Sequence, residues 1–130
     1  MNIQNFLKKK KTVKIYNPAV PSGLIAYTEK GYFYIKGNKK FKFVSERAML
    51  SWSLPVIKTS EEKINKISLA GTLGFRDGTL IKDISDGKIY LVSDSKRRHV
   101  IDPDVLEWLN TDIITAGQKE VLIHEEGDNI

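Results

Sequence analysis

Hydrophobic and polar positions along this chain alternate in short bursts with a period of two, each closed by turn residues. Tyr32-Phe33-Tyr34-Ile35-Lys36 is aromatic and β-branched, and Lys40-Phe41-Lys42-Phe43-Val44 alternates charged with apolar side chains. Gly37-Asn38 between them tolerates positive φ, so the three pieces predict a hairpin with one wet face and one buried face. Residues 24–28 read as a preceding strand, turned by Glu29-Lys30-Gly31. After the hairpin the period changes. Ser45, followed by Glu46, is an N-cap signature, and Met49, Leu50 and Trp52 form an apolar stripe at helical spacing. Residues 56–59 and 64–69 are extended again, and Gly71-Thr72-Leu73-Gly74 reads as a loop.

The same succession then returns. Strands are predicted over 80–84, 88–93 and 96–101, with turns at Ser85-Asp86-Gly87 and Asp94-Ser95. Asp102, Pro103 and Asp104 start a helix carrying Val105, Leu106 and Trp108, and residues 113–115 and 120–124 are extended. Displacing the chain by 56 residues aligns 22–74 with 78–130 without a gap and makes 13 of 53 pairs identical. Average amino-acid usage yields about three. The displacement also superimposes the two tryptophans, Trp52 and Trp108, which together with Tyr34 and Tyr90 read as core anchors.

The fold class this predicts is α+β, mainly β. It consists of two tandem, pseudo-equivalent β-β-β-α-β-β units of about 50 residues, 22–74 and 78–130, joined by Phe75-Arg76-Asp77 and preceded by a basic arm over 1–21. A unit of this size buries too little apolar surface to be secure alone, so the copies are expected to pack on each other or on a partner.

Composition narrows the function classes. The 130 residues contain no cysteine, which excludes disulfides, a thiol nucleophile and a cysteine-ligated zinc site. No apolar run approaches the roughly 18 to 20 residues that span a bilayer, so no membrane partner is expected. The net charge of +5 invites a nucleic-acid reading, but it is an average. Residues 1–60 hold 12 bases and two acids, a net of +10, whereas 61–130 hold nine bases and 14 acids, a net of −5. That polarity argues against a polyanion partner and for neighbours of opposite charge, including further copies of the same chain.

Candidate contacts follow from the charge pattern. Lys8, Lys9, Lys10, Lys11 and Lys14, with Tyr16, form a basic arm suited to docking on an acidic neighbour. Lys39 and Lys40, and Lys96, Arg97 and Arg98, fall at matching places just past the hairpin turns and are candidate contacts to an acidic surface. His99 and His124 each stand alone, without a second histidine at ligand spacing. No Gly-x-Ser-x-Gly, Gly-Lys-Ser/Thr phosphate loop, calcium loop or His-Glu-x-x-His occurs. Neither an enzyme nor a cofactor or metal requirement is therefore expected.

The segment from Gly87 through Tyr90-Leu91-Val92 and Lys96-Arg97-Arg98 to Ile101, followed by a capped helix, resembles a short repeat of the form vYLVxxGKKRxI. Such repeats are similar to ones in tailed-phage virion structural proteins and bacterial surface proteins. Ser95 stands where the repeat has its turn glycine, and residues 32–41 match more weakly. The resemblance implies a binding or structural module without any catalytic residue, and the chain is read as a structural component of a virion, with other structural proteins of the particle as expected partners. A cell-surface or glycan-binding module and a small basic nucleic-acid-binding protein are the alternatives.

Overall fold

The computed structural model describes residues 20–130; the arm residues Lys8, Lys9, Lys10, Lys11, Lys14 and Tyr16 lie outside them. The first part runs β1 (Ile25–Thr28), β2 (Gly31–Lys36), β3 (Lys39–Phe43), α1 (Glu46–Leu50), β4 (Val56–Lys58), α2 (Glu61–Ile64) and β5 (Ser68–Leu73). The second runs β6 (Leu80–Asp83), β7 (Ile89–Ser93), β8 (Lys96–His99), α3 (Pro103–Leu109), β9 (Ile113–Ala116) and α4 (Gln118–Leu122). With 38% of the described residues in strand and 19% in helix, the fold is α+β and strand-rich.

Local chemistry accounts for the main turns and caps. Gly37 opens the β2–β3 turn with φ +61°, and Asp94 and Ser95 both take positive φ in the β7–β8 turn, which matches the twist of the flanking strands. The Ser45 hydroxyl accepts the Ala48 N–H at 3.0 Å to cap α1, and the Asp102 carboxylate accepts the Asp104 N–H at 2.9 Å to cap α3. Asn110 ends α3 in the left-handed region that asparagine tolerates.

Two sheets result, ordered β4-β1-β2-β3-β5 and β8-β7-β6-β9. In each, the central hairpin is antiparallel while the strand after the helix returns parallel to the first, β4 beside β1 and β9 beside β6. β5 lies parallel to β3, and a parallel bridge from Arg97 to Glu126 takes the corresponding place beside β8.

Pairing registers relate the sheets residue by residue. Ile25 faces Tyr34 and Val56, and Leu80 faces Leu91 and Ile113. The first strands therefore correspond at an offset of 55 and the later elements at 57, because residues 84–87 make a longer turn than residues 29–30. Gly23 and Gly78 donate to the equivalent carbonyls of Ile35 and Val92, at 2.8 and 2.7 Å.

The ungapped offset of 56 is thus corrected. Trp52 corresponds to Leu109 and Trp108 to Ser51, and the tryptophans do not occupy equivalent sites. Trp52 packs on Tyr34 and Phe43. Trp108 is 74% exposed and is no core anchor.

Three further expectations change. Helices α2 and α4 are inserted, so Glu120 lies in a helix and not a strand. The stretch expected to be a loop at 71–74 is largely β5, whose last residue is Leu73. Phe75 is a core residue and not a linker, only 2% exposed.

The first part holds two clusters, Ala26, Phe33, Ile35 and Ile64 on one side, and Ile25, Phe43 and Met49 with Trp52 on the other. The second holds Phe75, Ile81, Tyr90, Val92, Ala116 and Val121, but it also takes in Ala48, with Val44 packed against it. Burying a side chain such as Phe75 contributes about 2 to 3 kcal/mol, and part of that comes from the contact between the two parts.

Candidate functional site

The most concentrated chemistry lies in the seam where α1 meets the second sheet. Because Ser45 caps α1 and Arg47 lies in its first turn, both side chains project from the helix start toward α4. The Glu120 carboxylate receives the Ser45 hydroxyl at 2.5 Å and Arg47 through Nη2 at 2.6 Å and Nε at 3.2 Å. It also accepts the Gly117 N–H at 2.9 Å, so one side chain caps its own helix and ties it to the other sheet. Burial alone would raise the Glu120 pKa, but the hydrogen bonds from Ser45, Gly117 and Arg47 outweigh it and hold the carboxyl below its ordinary value.

His124, 2% exposed, closes the other side of the seam. Its Nε2 accepts the Phe75 N–H at 2.9 Å, and Nδ1 donates to the Ser95 carbonyl at 2.7 Å. That pairing requires the neutral Nδ1–H tautomer, since a proton on Nε2 would face the Phe75 N–H. Burial lowers the imidazole pKa and outweighs the opposing effects of the Ser95 carbonyl and Asp77, with a still smaller lowering from the Arg97 guanidinium. Gly74 lies close against the ring; a Cβ there would clash with Nε2 and Cε1. The Trp52 indole N–H donates to the Gly74 carbonyl at 2.9 Å, and Ser51 Oγ accepts the Arg76 N–H at 3.0 Å.

A cleft of about 290 Å³ opens over these groups, lined by Trp52, Gly74, Arg76, Asp77, Ser95 and His124 among others. Both imidazole nitrogens are engaged, the carboxylate is saturated with donors, and the Ser45 hydroxyl serves both the α1 cap and Glu120. What this arrangement does chemically is join the two sheets.

The basic residues singled out in the sequence divide between fold and surface. Lys40 is buried: its ammonium donates to the Ile64 carbonyl at 2.9 Å and sits 5.3 Å from the centre of the Phe33 ring. Arg97 does the same work in the second sheet, donating to the His124 carbonyl 5.8 Å from the Tyr90 ring centre. Arg98 is half-buried and donates to the Asp128 carbonyl at 2.9 Å. Lys39 and Lys96 are exposed. The two basic sites lie on different sheets, and Lys96 and Arg98 share a hollow with Asp94, Glu126 and Asp128, so the second site is not a purely basic patch.

Sequence reasoning missed Glu120, Gly74 and the pair Ser45 and Arg47 as seam residues. The spacing of Gly117 and Glu120 hints at a helix start, but no local pattern signals a bond to a residue more than 70 positions away. Comparison with protein-family models, with curated proteins and with solved structures finds no significant match to this chain.

Proposed function

We propose that this chain is a non-enzymatic structural protein that acts through protein–protein contacts within a larger particle, built from two tandem copies of one ancestral module. The observation that carries this reading is the division of labour among its polar groups. Those with chemical potential, Glu120, His124 and Arg47, are spent on rigidity, while opposite charge and exposed apolar side chains are set apart for neighbours. The stretch 101–118 contains four acids and no base, whereas residues 1–19 contain five lysines and no acid. The resemblance of the β7–β8 segment to repeats of tailed-phage virion proteins points to a virion neck, tail, baseplate or capsid decoration as the setting. Replacing Lys8, Lys9, Lys10, Lys11 and Lys14 with glutamate is expected to abolish incorporation into the native particle while the circular dichroism spectrum and thermal transition are retained. Undiminished incorporation overturns the arm's role as the docking element.

A further inference from the structure

α1 and α3 hold the same place in their respective sheets, and among the described residues only α1 is covered. Its cover is supplied by the part of the chain that follows it. Residues 74–77 lie against Ser51 and Trp52, and Glu120, the third residue of α4, pairs with Arg47. At the offset of 57 set by the strand registers, the α3 counterparts of Ser45, Arg47, Ser51 and Trp52 are Asp102, Asp104, Trp108 and Leu109. All four are exposed, Trp108 most of all among the large apolar residues, while Val105, the counterpart of Ala48, is already buried.

We infer that α3 is the docking surface for a second copy of this chain, which joins head to tail and covers α3 as the second sheet covers α1. The charges support this occupant. The counterpart of Glu120 is Lys63, the third residue of α2, which is exposed. Laying a second copy on α3 by the internal geometry therefore brings its Lys63 to Asp104, the same kind of ion pair as Arg47 with Glu120 and with the signs exchanged. The counterparts of residues 75–77 are residues 20–22, at the offset of 55 that holds before the first turn. The contact uses two different surfaces, so it does not close at two copies and generates a ring or a filament.

This inference rests on the assembly reading above and is tested separately from it. Two full-length variants, Asp104→Lys and Lys63→Glu, change exposed side chains that have no hydrogen-bond or ion-pair partner among the described residues, and sedimentation velocity follows association of each alone and of the two mixed. The unmodified chain is expected to associate as concentration rises. Each variant alone, which sets like charges against each other, is expected to associate about tenfold more weakly, and the mixture to regain the lost association because both of its contacts pair opposite charges. Trp108→Ala is expected to weaken association without changing the thermal transition of the monomer. An unmodified chain that stays monomeric, single variants that associate normally, or a mixture that fails to recover would each overturn the inference. Incorporation into the native particle under any of those outcomes leaves the assembly reading standing.

Discussion

α1 and α3 show one position in a fold in two different surroundings. Both are short helices behind a three-stranded meander, and both start from a side-chain cap. α1 presents small and hydrogen-bonding residues, Ser45, Ala48 and Ser51, and another sheet packs on it. α3 presents Asp104, Trp108 and Leu109, and all three are exposed, with none of the described residues packed over them. Helices this short have little stability of their own and depend on tertiary packing. The difference therefore shows in energetics: substitutions in the covered seam should cost stability, and their counterparts on α3 should cost association.

The severest way to break the seam is Gly74→Ala. The new methyl would overlap His124 Nε2 and lie 2.7 Å from Ile123 Cγ2. A loss of about 2 to 3 kcal/mol is expected in urea unfolding, the usual cost of overpacking a rigid site. Removing the ion-pair partner comes next. Arg47→Ala leaves the buried Glu120 carboxylate with fewer donors and should cost about 1 to 2 kcal/mol. The matching change on the open helix, Asp104→Ala, should stay within about 0.5 kcal/mol in the monomer. Equal effects at the two positions would remove the distinction between the helices.

Acid probes the same seam by titration. The folded state holds His124 neutral with its pKa lowered, so the unfolded chain takes up that proton more readily. The stability involved is present above the ordinary histidine value of about 6.5 and drains away as pH falls from there. Glu120 works one step lower: its pKa is also lowered, and its contribution is present above the ordinary value of about 4.3 and is lost as pH drops below it. Urea midpoints should therefore be level above pH 7 and fall in two stages, and His124→Gln should flatten the first. A decline that survives this substitution assigns it to another group.

The smallest expected effect is a gain. Ser95 holds φ +64° in the β7–β8 turn, a conformation that costs a residue with a Cβ. Ser95→Gly retains the backbone bonds to His124 and Asp77 and should raise stability by about 0.5 kcal/mol in the same assay.

The local parts of this architecture could be read from the chain because they rest on local chemistry. Tyr32 to Ile35 form a strand through side-chain shape, Gly37 and Asn38 turn it, and Ser45 and Asp102 start helices through their own oxygens. α2 and α4 escaped because four or five residues are too few to display a helical period. The tryptophan alignment misled because the two-residue difference in the first turn of each sheet shifts the offset from 55 to 57, and a gapless comparison settles between them on coincident identities. The seam was unreadable for another reason. A buried glutamate and a surface glutamate look alike in sequence, and only the parallel return of β9 carries Glu120 to Arg47. Lys40 and Arg97 pose the same difficulty, since a lysine donating to a buried carbonyl and a free one are the same letter.

The membership of the hydrophobic clusters bears on the order of events at the ribosome. Both clusters of the first sheet are made wholly from residues that precede Gly74, whereas the cluster of the second includes Ala48 and Val44 from upstream. As the chain emerges from its amino end, the first sheet can close its interior before Phe75 appears. The later sheet then condenses against a finished wall. Maturation is expected to be directional: a nascent chain arrested once residues 20–74 have cleared the ribosome should already be resistant to protease, and the carboxyl half released alone should not.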